Sequence, residues 1–449
     1  MKKLTLLMVL VLIIQASVLS QPCLPEGITF TTQAQIDNFQ TNYPNCTEIE
    51  GHVEITGNDI TNLNGLNVLI AFGGGLSIGD YYIGNPILTS LTGLDNVTSI
   101  GGNLLIRYND ALTSLTGLGN LTSIGGNLEI GNPVLTSLTG LGNLTSIGGN
   151  LEIGNSVLTS LTGLDNLTSI GGCVVITSNA ALTSLSGLGN LTSIGGYLFI
   201  MDNAVLSSLI GLDNLTSIGG HVEIRFNNAL TSLIGLDNVT SVSELLIFGN
   251  FALTSLTGLD NLTSIEGYLY IWNNYALTSL TALDNITSIE EDLSIKNNVA
   301  LTNLSGIDNI DAASIDNLYI FGNISLSTCE VESICNYLAS PNGVIEIHDN
   351  ATGCNNKAEV EVACESGVPN INFESAFSIY PNPAEKEIFI CCKNGVKIKE
   401  INIYNQIGQK VLHEKRITIT IDVSMLMQGM YIIELVSEEF KIREKLMIR

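Results

Sequence analysis

From residue 88 onward the apolar positions of this chain fall at intervals of three and then two. In the stretch from Leu112 to Val134, Leu112, Leu115, Leu118, Leu121 and Ile124 are three apart, and Leu128 and Ile130 two apart. The first spacing suits corners and short extended pieces that each turn one apolar residue inward, whereas a helix mixes threes with fours. Gly117, Gly119, Gly125 and Gly126 also argue against a helix. The triplet Leu128-Glu129-Ile130 alternates as a short strand does, which sends Glu129 outward between two inward neighbours.

The same block recurs ten times, beginning at Leu88, Leu112, Leu135, Leu158, Leu182, Leu206, Leu230, Leu253, Leu277 and Leu301, at spacings of 23 or 24 residues. A fixed period of this length is the signature of a solenoid, whose coils bury their apolar side only by stacking. The predicted fold class is therefore all-β, a leucine-rich parallel β-solenoid with capped ends. Eleven or so coils at about 4.8 Å each would make a rod roughly 50 Å long. The Asn at the ninth position of every copy, Asn96 to Asn309, is expected to form a buried ladder bonding turn amides from coil to coil. Most of these Asn also sit in Asn-X-Thr sequons, which a glycosylating host would modify, but their place in the repeat favours the structural role.

An uncovered last coil would expose core and strand edge, so both ends need caps. Partial copies run from Ile49 to Ile55 and from Ile60 to Ile78. Before them, Thr32 and Gln35 have capping-box spacing ahead of Ile36 and Phe39, which predicts a short helix tied down by Cys23 and Cys46. Val331, Ile334 and Leu338 have helical spacing at the other end, among Cys329, Cys335, Cys354 and Cys364. These four cysteines allow three pairings. Cys173 replaces a repeat Asn and reads as an unpaired thiol; Cys391 and Cys392 read as one inward and one outward strand residue, in preference to a vicinal disulfide or redox pair.

Charge divides the chain. Residues 21–375 hold 34 acidic side chains against four basic ones (Arg107, Arg225, Lys296 and Lys357), while residues 376–449 are nearly balanced. The step marks a domain boundary, and the acidic body disfavours nucleic acid and anionic membranes as partners. Lys2, Lys3 and the apolar run Leu4 to Ile14 read as a signal peptide cleaved before Gln21, and no later stretch is long and apolar enough to span a membrane. The expected organisation is a signal peptide (1–20), an N-terminal cap (21–48), the solenoid (49–326), a Cys-rich cap (327–364), a linker (365–375) and a small C-terminal domain (376–449).

Two resemblances add to this reading. The opening Cys46-Thr-Glu-Ile-Glu-Gly-His-Val-Glu-Ile and the repeated Leu-Thr-Ser-Ile-Gly-Gly-Asn-Leu-Glu-Ile resemble the receptor L-domain group, which implies a right-handed solenoid over about residues 46 to 326. Receptor ligand specificity does not carry over, because this chain is longer and far more regular. In the last segment, Tyr380-Pro381-Asn382-Pro383-Ala384 is followed by Ile401 to Asn405, then Gly408-Gln409-Lys410-Val411, Ile421 to Ser424 and Gly429-Met430-Tyr431-Ile432-Ile433. This order is similar to the type A sorting domain of the type IX secretion system of Bacteroidetes. The resemblance implies a small β-sandwich, recognition by that secretion machinery, and a mature protein that is shed or held at the outer surface. It makes Tyr380, Pro381, Asn382, Pro383, Gly408, Gly429 and Tyr431 the sorting-motif residues. Alternation in the same segment predicts strands at Glu387 to Ile390, Glu400 to Tyr404 and Met430 to Leu435.

Candidate chemistry is sparse. His52, His221, His348 and His413 have no metal-ligand spacing and no nucleophile motif beside them, so no enzyme, metal or cofactor is expected. The eighth repeat position is Asp in seven copies and Gly in three; a solvated turn explains this better than shared calcium. Thr-Ser rows such as Thr113-Ser114 and Thr122-Ser123 lack the flat Thr-X-Thr face that would suit ice. Where the copies differ, they differ on the outward side of the strand, and there aromatics gather: Tyr197, Phe199, Phe226, Phe248, Tyr268, Tyr270, Trp272, Tyr319 and Phe321, with Tyr108 and Met201 nearby. Exposed rings of this kind suit sugars and protein hot spots. The sequence therefore points to an exported adhesin or recognition module for a glycan or protein. The alternatives are a structural surface-layer or matrix component and, less favoured, an ice-binding protein.

Overall fold

A computed structural model describes residues 21–80, 82–366, 377–392, 398–405, 408–415, 420–436 and 441–449. The expected signal peptide and most of the expected linker lie outside the described residues. The chain divides into two compact units, one of residues 1–329 and 336–360, the other of residues 330–335 and 361–449.

The first unit is a parallel β-solenoid. Each coil contributes the apolar-X-apolar strand to a 14-stranded sheet that begins at Ile28–Phe30 and ends at Ile345–His348. The register is strict, Leu on Leu and Ile on Ile: Leu128 pairs with Leu151 and Ile130 with Ile153. The stack is longer than the roughly 50 Å expected, because both cap segments supply strands of their own; at about 4.8 Å per step, fourteen strands span roughly 60 Å. Inward Leu, Ile and Val are almost wholly buried in every coil, which is why an apolar residue recurs at each third position.

A second, shorter strand in most coils, Ser-Ile in the repeat copies, forms a nine-stranded sheet from Pro22–Cys23 to Ser217–Ile218. The Gly-Gly pair that follows makes the corner, where backbone lies directly on backbone. A β-carbon on Gly125 would fall on the carbonyl oxygen of Gly101, and one on Gly148 on that of Gly125. After Ser217–Ile218 the pair gives way to Ser243-Glu244 and one residue is lost, and a separate three-stranded sheet continues from Ser241–Val242.

Two asparagine rows tie the coils together, and their roles differ from the expectation. The ninth-position row is exposed, not buried. Its amides do cross between coils, Asn120 Nδ2 donating to Asp95 O at 2.6 Å and Asn143 Nδ2 to Gly119 O at 2.6 Å, but from the solvent side. The buried ladder is a different one, of twelve residues just beyond the strand: Asn85, Asn109, Asn132, Asn155, Asn179, Asn203, Asn227, Asn250, Asn274, Asn298, Asn323 and Asn350. Asn227 shows the pattern. Its Nδ2 donates to Ile200 O at 2.9 Å, its own N–H donates to Asn250 Oδ1 at 3.0 Å, and its Oδ1 accepts Asn203 N–H at 3.1 Å. Among the described residues the ladder is interrupted once, between Asn132 and Asn155, where two successive coils are a residue short after the strand. There Asn155 Nδ2 has no partner.

The Asp at the eighth position closes its own turn, as Asp213 does by accepting Gly211 N–H at 2.8 Å. The Thr hydroxyls are taken up in the same way, Thr122 Oγ1 donating to Thr98 O at 3.0 Å. At the N-terminal end, α1 (Gln33–Asp37) carries the expected capping box, α2 (Phe39–Asn42) follows, and Ile36 and Phe39 are buried. Cys23 pairs with Cys46. Of the three pairings open to the later cysteines, the structure has Cys329–Cys354 and Cys335–Cys364. The expected helix is α3 (Glu332–Ala339), with Val331, Ile334 and Leu338 buried, and α4 (Lys357–Ser366) follows it. Tyr337 Oη donates to Asp316 O at 2.6 Å. Cys173 is a free thiol.

In the second unit two antiparallel sheets of three and four strands share a core that includes Ile388, Ile390, Ile401, Ile403, Tyr431, Ile433 and Leu446, the small sandwich expected. Besides the three strands read from alternation, Phe377–Tyr380, Lys410–Glu414, Thr420–Asp422 and Lys441–Ile448 are also strands. Cys391 and Cys392 end the strand Glu387–Cys392; the direction of their side chains lies outside the described residues.

The ladder and the glycine corner each generate a paired test. Asn227→Ala leaves Asn203 N–H buried without its acceptor and removes the side-chain donor to Ile200 O, and should cost about 2–3 kcal/mol, against under about 1 kcal/mol for exposed Asn214→Ala, read from urea unfolding. Gly125→Ala should destabilise by at least about 2 kcal/mol, whereas Gly119→Ala, with nothing within 4 Å of the new methyl group, should stay within about 0.5 kcal/mol of the parent.

Candidate binding face on the long sheet

Alternation along the long sheet creates three outward rows that run the length of the stack. One is the residue before each strand, one its middle residue, and one its last. Because coils stack in register, each side chain in a row meets its counterpart one coil away, about 4.8 Å off.

The N-terminal half of this face is polar. Asn103 Oδ1 accepts Asn127 N–H and Asn127 Oδ1 accepts Asn150 N–H, both at 2.8 Å; Asn150 Oδ1 accepts Cys173 N–H at 2.9 Å. Arg107 pairs with Glu129, and Tyr108 stands 47% exposed beside it.

From Tyr197 onward the rows turn aromatic, and the structure brings all nine sequence-predicted residues into one strip. Tyr197 stacks on His221 with centroids 4.7 Å apart. Phe199 lies under the Arg225 guanidinium, 4.8 Å from its ring, and Phe248 is 5.4 Å away on the other side. Arg225 also pairs with Glu223 at 2.9 Å and donates to Met201 Sδ at 3.0 Å. Phe226 meets Phe248 edge to face at 5.4 Å, and Phe248 is 6.4 Å from Trp272. Within one coil Tyr268, Tyr270 and Trp272 form a continuous stack, with centroids 5.0 and 4.6 Å apart. Lys296 follows, its Nζ 4.9 Å from Trp272, 4.3 Å from Tyr319 and 4.8 Å from Phe321. Phe321 stacks on His348 at 4.6 Å.

These rings do not stand free. Phe226 is 39% exposed, and the other eight are half-buried against one another. Trp272 Nε1 donates to Ser294 Oγ at 2.8 Å, and Ser294, although it occupies an outward position, is fully buried beneath its aromatic neighbours. Tyr270 Oη donates to Asp292 Oδ2 at 3.4 Å, and Asn317 Nδ2 holds Asp292 Oδ1 at 2.7 Å.

The electrostatics of the strip are set by carboxylates. Burial, then Asp292, pushes the Tyr270 phenol well above the ordinary tyrosine range. Tyr268 is pushed up by its hydrogen bond to Glu291, and Tyr319 by burial with Asp292 and Glu346 behind it. Tyr197 is raised by burial and by Cys173. Burial lowers Lys296, against the pull of Glu346 and Asp292. At the separate turn row, Asp284 is raised by burial and then by Asp308 and Asp260 one coil to either side. Among the described residues no group of three or more His, Cys, Asp or Glu side chains is placed to hold a metal ion.

Sequence reading missed an adjoining ridge. Phe251 and Tyr275 stack in parallel at 5.0 Å, 44% and 45% exposed, and Ile324 is 67% exposed at the equivalent position two coils on. The signal was the residue directly after each ladder Asn, which is small or polar in most other coils.

In the C-terminal unit, the residues that the resemblance assigns to the sorting motif make local structural contacts. Asn382 clamps the last strand, donating to Lys445 O at 2.7 Å and accepting Met447 N–H at 2.9 Å, between Pro381 and Pro383. Tyr380 stacks on Phe389 at 5.6 Å. Gly408 adopts φ +76° in the Asn405–Gln409 turn, Gly429 opens a strand, and Tyr431 Oη donates to Met427 O at 2.9 Å.

Comparison with known families agrees with this architecture. Residues 45–137 match the receptor L domain, residues 192–327 match six copies of the BspA type leucine rich repeat region, and residues 378–449 match the secretion system C-terminal sorting domain. No curated protein matches the chain. The two solenoid families are typically non-enzymatic binding scaffolds. This chain is thus a leucine-rich β-solenoid similar to both, joined to a type IX sorting domain. The sorting domain marks it for export, to be held at the outer surface or released. Among the described residues no helix is long and apolar enough to cross a membrane.

The raised phenols have a measurable consequence. A tyrosine whose folded pKa exceeds its unfolded value, about 10, stabilises the fold fully below that value and loses this contribution as pH climbs through the folded one. Phenolate absorbance should therefore show Tyr197, Tyr268, Tyr270, Tyr319 and Tyr337 ionising later than the exposed tyrosines. Tyr270→Phe should remove the latest-titrating component.

Proposed function

We propose that the protein is an exported recognition module, an adhesin in the broad sense, whose aromatic strip binds an extracellular glycan or protein. The observation that carries this reading is the confinement of variation. Across the ten repeat copies the inward apolar positions stay Leu, Ile or Val, while outward positions over Tyr197–Phe321 collect nine rings in one strip. A solenoid builds an extended surface at no cost to its core, and rings held by neighbouring hydrogen bonds lose little freedom when they contact a ligand. The absence of nucleophile and metal-ligand patterns in the sequence fits a role without catalysis.

One observation favours the runner-up, a structural surface-layer or matrix component. The rings pack on each other from coil to coil, as they would if their task were to stiffen the rod.

The test is binding of the purified chain to an array of polysaccharides and matrix proteins, beside the Tyr270→Ala, Trp272→Ala double variant. The recognition reading expects a saturable partner whose affinity falls at least about tenfold in the variant. Because both rings are half-buried, the variant should also lose about 2–4 kcal/mol of stability, so its fold is checked by circular dichroism at the assay temperature. A blank array for the parent chain supports the structural role.

A further inference from the structure

The aromatic strip already contains cations. Between residues 108 and 356 the chain has only two basic side chains, Arg225 and Lys296, and both are in the same outward row, packed onto rings. Arg225 lies between Phe199 and Phe248, and Lys296 Nζ is within 5 Å of Trp272, Tyr319 and Phe321. The ring faces are thus spaced and oriented to receive a positive charge, whose attraction to a π-face grows as water is excluded.

Around them the surface is acidic. Asp292 is bonded to Tyr270 and Glu291 to Tyr268, while Glu244 lies close enough to perturb Tyr268 and Glu346 close enough to perturb Tyr319. Four carboxylates therefore flank the Tyr268-Tyr270-Trp272 stack and Tyr319, against the single internal ammonium of Lys296. A neutral sugar would leave this charge unanswered, and an anionic polymer would be repelled by it, within a chain of net charge −26.

We propose that the strip binds a cationic peptide segment, a Lys- or Arg-bearing strand or loop of a partner protein. Its charged heads take the two ends of the stack, Tyr268 and Trp272, whose outer faces Tyr270 does not cover, between Glu244, Glu291, Asp292 and Glu346. This rests on the reading of the strip as a ligand surface and narrows its partner class. Lys296 is the internal counterpart of that ligand. It occupies the box formed by Trp272, Tyr319 and Phe321, and so competes with an incoming ammonium for the Trp272 ring.

The experiment measures binding of a short oligolysine to the full chain by calorimetry. Controls are the same peptide with its side chains acetylated, a neutral oligosaccharide and a sulfated polyanion. The expected result is saturable oligolysine binding that weakens with salt and falls about tenfold in Trp272→Ala. It should fall by a similar factor in Glu346→Gln, an exposed position where folding is not at risk, and strengthen about fivefold in Lys296→Met, which vacates the box. Oligolysine binding that Trp272→Ala leaves intact is attraction to the acidic rod at large and overturns the site. Acetylated peptide binding as well as the charged one overturns the charge selection. A neutral sugar or polyanion that binds in place of oligolysine, and is lost in Trp272→Ala, overturns the cationic partner while leaving the strip as a ligand surface. If no probe responds to Trp272→Ala, both readings fall.

Discussion

Everything in the solenoid follows from stacking in register at one strand spacing. Each residue lies on its own equivalent in the coil before and the coil after, so a side chain is tolerated only if it packs well against a copy of itself. Leu and Ile meet this condition inside. Asn meets it in a buried polar row because its amide both donates and accepts, so that a column of identical groups satisfies itself. Glycine meets it at the corner, where there is no room for a β-carbon between successive backbones. Charged residues do not stack well on themselves. The inward positions hold none, and the basic side chains of the outward face are interleaved with rings or carboxylates.

The same condition shapes the aromatic strip. Rings at a repeat of about 4.8 Å must tilt, offset or meet edge to face, and the pairs show all of these arrangements. The result is a surface of half-buried rings whose geometry is fixed before any ligand arrives. The polar half of the face, from Asn103 to Cys173, is built by the same stacking from amide groups and has a different chemistry. A single scaffold thus presents two kinds of surface along one edge, divided only by which residues occupy the outward rows.

Much of the fold was legible in the sequence because the period and the apolar spacing are direct consequences of stacking. The capping box at Thr32, the N-terminal disulfide and the alternation of outward residues could be read in the same way. The asparagines could not be told apart. Both Asn rows recur in every copy, and which one is buried depends on how the chain turns after the strand. The later disulfides were undetermined because pairing depends on where two helices bring their cysteines. The candidate rings were found by alternation within one coil. Their contacts were not, because those depend on the coil above and the coil below. Lys296 lies 24 residues after Trp272 and 25 before Phe321, so its three-ring box becomes visible only when copies are laid over one another. Phe251 and Tyr275 directly follow ladder asparagines, past the end of the strand, where the alternation that marks the other rings has stopped.

The interruption of the buried ladder between Asn132 and Asn155 gives the rod a seam. In a one-dimensional stack, cooperativity is transmitted only between nearest neighbours. A missing link therefore acts as a domain wall, across which the coupling of two blocks is weaker than within either. The long sheet crosses this wall without a break, leaving five strands on one side and nine on the other. The aromatic strip lies wholly within the block of nine. Across the seam the two blocks are joined by both sheets and by the exposed row, Asn143 to Gly119, but not by the buried amide column. A loss of two residues in the turns has left the joint between the blocks to the backbone ladders and the outer amides alone.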